Sequence, residues 1–143
     1  MKMKLHLVMK NIKKEKKILV VDDDKDLCDL ISDIFSNEGY IVMSAYDANT
    51  AISIIIANKI DVMIIDNKLS GASGINVIEQ SKFLNPELKT IMISAFGNTN
   101  TKLRAKDLGV YDFLDKPFDI NELINRVGEL VFNDNLNNYS VIY

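Results

Sequence analysis

The sequence predicts an α/β fold in which a doubly wound, five-stranded parallel sheet is covered by helices on both faces. Short apolar runs bounded by turn residues alternate along the chain with segments of helical period. The runs are continuously apolar, which is typical of parallel strands shielded from water on both faces. They place the five strands at residues 18–21, 41–43, 62–65, 91–93 and 113–114.

Each expected helix has an apolar stripe that would face the sheet. The first helix covers 26–38 and ends at Gly39, and the fourth covers 98–108. In chain order the stripes are Leu27, Leu30, Ile31, Ile34 and Phe35; Ala48, Ala51, Ile52, Ile55 and Ile56; Ile75, Ile78 and Phe83; Leu103, Ala105 and Leu108; and Leu123, Ile124, Val127, Leu130 and Val131. Right-handed crossovers then predict a flavodoxin-like strand order, 2-1-3-4-5, with the ligand site outside the carboxyl ends of the strands.

Length and composition indicate one domain. The chain has 143 residues, of which 48% are hydrophobic and 26% charged, as in a folded domain with a single core. We expect that domain at 17–132, after a disordered basic extension at 1–16 and before a short Asn-rich tail at 133–143, with no output domain. The single cysteine allows no internal disulfide, and no apolar run is long enough to span a membrane. A reduced, cytoplasmic protein is therefore expected.

Charge is unevenly distributed along the chain. Residues 1–17 carry seven lysines and one glutamate, whereas residues 18–143 carry ten basic and nineteen acidic side chains. An acidic body repels phosphate backbones, so direct binding of DNA is not expected unless the basic extension alone provides it.

Three carboxylates follow strands that should be neighbours. Asp22 and Asp23 come directly after the first strand, and Asp66 comes directly after the third. In the order 2-1-3-4-5 these strand ends are adjacent, and carboxylates brought together there need a divalent cation. Few carboxylates completed by water favour Mg²⁺, which commonly bridges to a phosphate. Lys116 after the fifth strand and Ser94 after the fourth add donors for a phosphoryl oxygen.

Four motifs together resemble the receiver domain of two-component response regulators. They are ILVVDDD at 18–24, IIDNKLSGASG at 64–74, MISAF at 92–96 and FLDKPF at 113–118. The resemblance covers about residues 17–132 and implies a stand-alone receiver that serves as a phosphorelay intermediate or docks onto an effector. It implies that Asp66 accepts a phosphoryl group from the phosphohistidine of a histidine kinase or phosphotransfer protein. The implied Mg²⁺ ligands are Asp22, Asp23, Asp66 and the backbone carbonyl of Lys68.

The same resemblance implies how phosphorylation is read out. Lys116 and Ser94 are expected to assist the phosphoryl group, and Ser94 with Phe113 to switch the face formed by the fourth helix, fifth strand and fifth helix. That face would bind a downstream effector protein or a second copy of the chain in a phosphorylation-dependent dimer. Lys68 and Phe96 resemble the pair found in a single-domain phosphorelay intermediate, which implies slow dephosphorylation through shielding of the attacking water. The chain would catalyse only its own phosphorylation and dephosphorylation.

Some residues depart from the family pattern or have a local role. Leu69-Ser70 stands where the family often has Met-Pro, and Ser73-Gly74 where it often has Asp-Gly, although Ser73 can still cap the third helix. Asp24 is expected to cap the first helix. Cys28, at the flank of the first helical stripe, is expected to be inert.

Three other functions remain open on the residues alone. The first is a haloacid-dehalogenase-like phosphotransferase with Asp22 as nucleophile, although no later acidic pair follows Lys116. The second is a flavodoxin-like electron carrier, which would need a phosphate loop where the acidic run at 22–26 stands. The third is a scaffold that binds partners without phosphorylation.

Overall fold

The protein, seen here as a computed structural model, is described for the backbone of residues 2–95 and 98–139 and the side chains of residues 3–95 and 98–133. In chain order the elements are α1 (Lys2–Glu15), β1 (Lys17–Val21), α2 (Lys25–Asn37), β2 (Ile41–Ala45), α3 (Ala48–Ala57), β3 (Val62–Asp66), β4 (Lys68–Leu69), β5 (Ala72–Ser73), α4 (Gly74–Leu84), β6 (Lys89–Ala95), α5 (Thr99–Asp107), β7 (Asp112–Lys116) and α6 (Ile120–Tyr139).

The main sheet is parallel and has the strand order β2-β1-β3-β6-β7. This confirms the predicted order 2-1-3-4-5. The central strands β1 and β3 are buried almost throughout, which explains why their sequences are apolar without alternation. Val21 lies beside Ile65, so the residues that follow β1 and β3 emerge at one edge of the sheet.

Two apolar layers hold the sheet between the helices. α2 and α6 cover one face, where Phe35 and Leu123 are fully buried. α3, α4 and α5 cover the other face with side chains such as Ile55 and Ala105. Most of the predicted stripes therefore face the sheet.

Four side chains that were expected in these stripes are instead exposed: Leu30 by 56%, Ile56 by 68%, Phe83 by 88% and Leu103 by 58%. α3 turns Ala51 and Ile55 towards the sheet, which leaves Ile56 outside the buried stripe. α2 turns Cys28 into the core together with Ile31 and Phe35, which leaves Leu30 beyond the edge of the buried stripe. Phe83 and Leu103 lie on the sides of α4 and α5 opposite their buried residues.

The N-terminal segment differs from the expected disordered extension, because α1 is a helix that packs against α6 and β2. Met9 and Ile12 line a small cavity beside Tyr40. Lys13 adds an ion pair with Glu38 at 3.2 Å, and its Nζ lies 5.6 Å from the centre of the Tyr40 ring. The high lysine content of this segment obscured the i, i+3 spacing of its apolar residues.

Two further features were not predicted. The last helix continues from the expected domain end at 132 to Tyr139. After β3, the two-residue strands β4 and β5 form a hairpin in which Gly71 has φ +70°. No helix in residues 2–95 and 98–139 is long and apolar enough to cross a membrane.

Candidate functional site

The side chains predicted to carry the chemistry converge at the carboxyl edge of the sheet. Asp22 follows β1, Asp66 is the last residue of β3, and Lys116 is the last residue of β7. Asp22 and Asp66 are only 2% and 7% exposed, although an acidic side chain at a strand end normally remains in water.

Lys116 links the two buried carboxylates. Its ammonium donates a hydrogen bond to Asp66 and lies 3.4 Å from Oδ2 of Asp22. Burial raises the pKa of Asp22, and the charge of Asp66 adds to that shift. Burial alone would lower the pKa of Lys116, but its hydrogen bond and charge attraction to Asp66, with a further contribution from Asp22, raise it overall. The amine is therefore held in its charged form.

Backbone amides fix the other oxygen of each buried carboxylate. The amide of Asp24 donates to Oδ1 of Asp22 at 2.9 Å, and the amide of Lys68 donates to Oδ1 of Asp66 at 2.9 Å. Asp24 itself caps α2, as predicted, by accepting from the amide of Leu27 at 3.1 Å. Both carboxylates are thus oriented by the turns that follow their strands.

Asp23 has a different partner. Its Oδ2 accepts a hydrogen bond from the hydroxyl of Ser70 at 2.9 Å, across 47 positions of sequence. Of the three carboxylates that were expected to converge, only Asp22 and Asp66 share Lys116. The Ser70 contact was missed, because the direction of a loop side chain depends on turn geometry.

The loop after Asp66 is packed tightly against the start of α4. The amide of Gly74 donates to the carbonyl of Asn67 at 2.6 Å, and a Cβ at Gly74 would lie 2.3 Å from the carbonyl oxygen of Asp66. Ser73 caps α4 as predicted, because its hydroxyl accepts from the amide of Ile75 at 3.2 Å. This close approach explains the glycine eight positions after Asp66.

A cleft of about 620 Å³ opens over Asp66. Asn67 and Asn98 line it, and sequence reasoning identified neither of them. Lys68 also lines it and is exposed, whereas Phe96 lies outside the described residues. The cleft is the open side of the Asp66 carboxylate, which is otherwise buried.

Neither predicted switch residue lines this cleft, although Ser94 directly precedes Ala95, which does. Ser94 is fully buried in β6, and within the described residues no group forms a hydrogen bond with its hydroxyl. Phe113, one strand away in β7, is partly buried against the layer under α3, α4 and α5. The Lys116–Pro117 peptide that follows is cis.

The donor chemistry of the pocket fits Mg²⁺. Carboxylate and carbonyl oxygens are the ligands that this ion takes, and Asp22 keeps a raised pKa beside Asp66 even with Lys116 between them. In the described part of the chain, however, no three His, Cys, Asp or Glu side chains form a group arranged to hold a metal ion. Asp23 lines the same cleft as Asp66, but its hydrogen-bond partner is Ser70 and not Lys116.

Most of the chain resembles a known family of domains. Residues 18–128 match the family model described as the response regulator receiver domain. The chain belongs to this family of two-component signalling domains.

Relatives within the family differ in length. The chain is 31% identical over 111 residues to the sporulation initiation phosphotransferase F of Bacillus subtilis, covering 78% of this chain and 90% of that protein. It is 36% identical over 109 residues to the nitrogen assimilation regulatory protein NtrX of Azorhizobium caulinodans, covering 75% of this chain but only 24% of that protein. A CheY-like receiver protein from Methanospirillum hungatei has a crystal structure that matches with a TM-score of 0.82 at 25% identity, covering 85% of this chain and 98% of that chain.

The dehalogenase-like and flavodoxin-like alternatives find no support in these results. Asp22 and Asp66 are both buried, but only Asp66 lines the cleft, so the geometry gives Asp22 no open side from which to attack a phosphate. Receiver domains are in general signalling modules and not enzymes with turnover of an external substrate.

Proposed function

We propose that this receiver accepts a phosphoryl group on Asp66 from the phosphohistidine of a histidine kinase or phosphotransfer protein, in a reaction that depends on Mg²⁺. The observation that carries the proposal is the pair of buried carboxylates, Asp22 and Asp66, joined by Lys116 below an open cleft. Such a pair is costly for folding, and a phosphoryl site accounts for it.

The residues divide the work of the transfer. An Asp66 carboxylate oxygen forms the new O–P bond while the P–N bond to the donor imidazole breaks, and the imidazole keeps the bonding electron pair and takes up a proton. Lys116, already charged and beside Asp66, donates to an oxygen of the incoming group. The proposed ligands for Mg²⁺ are Asp22, Asp23, Asp66 and the Lys68 carbonyl. When bound, the ion would neutralise charge on the phosphoryl oxygens.

The signal would leave through the face formed by α5, β7 and α6. The new negative charge on Asp66 attracts the Ser94 hydroxyl, whose movement frees space for the Phe113 ring. Ion pairs tie β7 to its neighbours on this face: Lys102 of α5 binds Asp115, and Arg126 of α6 binds Asp112. Moving such a switch from 1:99 to 99:1 takes about 5.5 kcal/mol of differential interaction, so several of these contacts must change together.

The proposed partners are a phosphohistidine donor and a protein that reads this face. The match to phosphotransferase F over most of its length supports a role as a phosphorelay intermediate, whereas docking onto an effector is the other route for the signal. Slow loss of the phosphoryl group, through Lys68 and Phe96, belongs to the same proposal. Lys68→Asn combined with Phe96→Glu should accelerate phosphate loss; an unchanged rate would contradict the shielding mechanism.

The experiment is intact-mass spectrometry after incubation with acetyl phosphate, with and without Mg²⁺. Wild type should gain one phosphoryl group only with Mg²⁺, Asp66→Asn should gain none, and Asp33→Asn, which alters an exposed carboxylate on α2, should behave as wild type. A histidine kinase replaces acetyl phosphate if no protein is modified. Failure with both donors would refute the proposal and favour the scaffold alternative.

A further inference from the structure

The hydrogen bond between Ser70 and Asp23 is a contact that the proposed phosphoryl chemistry does not yet use. Ser70 is at the tip of the β4–β5 hairpin, and Asp23 is in the loop between β1 and α2. The bond at 2.9 Å is the only side-chain hydrogen bond found between these two loops in the described residues. It therefore links the loop that presents Asp66 to the loop that presents Asp22.

Both ends of this bond are held in place by the backbone. Ser70 precedes Gly71, whose φ of +70° forms the turn, and the pairing of Leu69 with Ala72 closes the hairpin. On the other side, Asp23 lies between Asp22, which accepts from the amide of Asp24, and Asp24, which caps α2. The hydroxyl therefore fixes the one part of Asp23 that the backbone leaves free, its carboxylate.

From this arrangement we infer that Ser70 is a positioning residue that orients the Asp23 carboxylate for Mg²⁺, an inference that rests on the proposed function. The hydroxyl donates to Oδ2, no described group forms a hydrogen bond with Oδ1, and Asp23 lines the cleft together with Asp66. A partner that fixes the orientation of a metal-binding carboxylate commonly changes metal affinity by about 10–100-fold when it is removed. A proline, which often stands at this position in the family, has no hydroxyl with which to make this bond.

The Ser70 hydroxyl orients the Asp23 carboxylate through a hydrogen bond and adds no net charge to the site. Asp22 and Asp66 are joined through Lys116, whereas Ser70 is the hydrogen-bond donor found for the Asp23 side chain among the described residues. Without that donor, the carboxylate of Asp23 gains rotational freedom that binding of the ion must remove. Removing the Ser70 hydroxyl should therefore lower the affinity for Mg²⁺. It should leave the rate of phosphorylation at saturating Mg²⁺ unchanged, because Asp66 and Lys116 are not altered.

The test measures Mg²⁺ binding to the full-length, unphosphorylated protein by following amide NMR shifts during titration with MgCl₂. Ser70→Ala should weaken binding about 10-fold or more, Ser70→Thr should restore it, and Ser53→Ala, at an exposed serine of α3, should match wild type. In phosphorylation by acetyl phosphate, Ser70→Ala should raise the half-saturating Mg²⁺ concentration by the same factor and keep the maximal rate within about twofold.

Equal affinity in Ser70→Ala and wild type would overturn the inference. Tighter binding would overturn it as well, because the hydroxyl would then compete with the ion for Asp23. The proposed function fails separately: if wild type binds Mg²⁺ but is never phosphorylated on Asp66, the phosphoryl transfer is refuted while the comparison of affinities still decides the role of Ser70.

Discussion

Replacing Gly74 with alanine puts a methyl group against the backbone that carries Asp66. The new Cβ would lie 2.3 Å from the carbonyl oxygen of Asp66 and 2.9 Å from Cα of Asn67. No flexible side chain can move aside to relieve these contacts, because both neighbours are main-chain atoms. The loop or the first turn of α4 must therefore shift by about 1 Å to restore ordinary contact distances.

The size of the effect follows from this clash. Overpacking a rigid site typically costs 1–3 kcal/mol, and backbone neighbours place Gly74→Ala at about 3 kcal/mol or more. Gly128→Ala is the matched control, because Gly128 lies within α6 and a Cβ there meets nothing within 4 Å. Alanine in a helix interior gains about 0.5–1 kcal/mol over glycine, so the two substitutions should move stability in opposite directions.

Urea denaturation followed by circular dichroism measures both variants. With a slope of about 2 kcal/mol per molar urea, the unfolding midpoint of Gly74→Ala should fall by roughly 1.5 M. Phosphorylation by acetyl phosphate, measured where the variant is still folded, should also slow, because the shift displaces the Asp66 carboxylate from Lys116. A Gly74→Ala protein within about 1 kcal/mol of wild type and with an unchanged phosphorylation rate would refute the reasoning.

Three other predictions concern buried groups. Asp22→Asn should raise the free energy of unfolding at pH 7, because burial raises the pKa of Asp22 and its charged form disfavours the native state. In urea denaturation, this gain over wild type should shrink as the pH falls towards 3.8, the ordinary pKa of the side chain, because Asp22 then becomes neutral. A gain that does not change with pH would contradict the prediction. Burial also raises the pKa of the Cys28 thiol, which lies 3.6 Å from the Val20 carbonyl oxygen, so a thiol reagent should modify native protein far more slowly than urea-unfolded protein. Burial raises the pKa of Tyr40 to about 12. Deleting residues 1–15 removes the α1 side chains beside Tyr40 and should lower its pKa towards 10, as measured by the absorbance of tyrosinate during a pH titration. The variant Tyr40→Phe identifies which part of the absorbance change belongs to Tyr40.

The fold was predictable wherever residues repeat a clear pattern. Continuous apolar runs identified all five strands of the main sheet, because a strand that is buried on both faces needs apolar residues at successive positions. The rotation of each helix was less accessible: the choice between Leu30 and Cys28 in α2 is made by packing against the sheet, and both residues are apolar enough for either position. The helix α1 was not predicted, because a lysine-rich segment is typical of a disordered chain. The helical spacing of Met9 and Ile12 was too short a pattern to indicate otherwise.

The site was predictable to the extent that topology determines it. Asp22, Asp66 and Lys116 meet because strand ends of a parallel sheet share an edge, and this needs only the strand order. The strand order does not predict the hydrogen bond between Asp23 and Ser70. Ser70 lies in the hairpin of β4 and β5, and strands of two residues are too short to show a periodic pattern in the sequence. Only the Ser70-Gly71 pair marked a turn there, and a turn alone does not give the direction of a hydroxyl.

Two residues assigned to the proposed function are held in the fold at a cost in free energy. Asp22 is buried with a raised pKa, and the Ser94 hydroxyl is buried with no partner among the described side chains and backbone. Both lie at the carboxyl edge, within the reach of charge placed on Asp66. A phosphoryl group there adds about −1.5 to −2 charges and supplies acceptor oxygens, so it can draw on Lys116 and satisfy Ser94 at the same time. In the proposed switch, the buried charge of Asp22 and the unpartnered hydroxyl of Ser94 would therefore supply part of the free-energy difference between the two states. The same buried charge is the reason why Asp22→Asn should stabilise the fold.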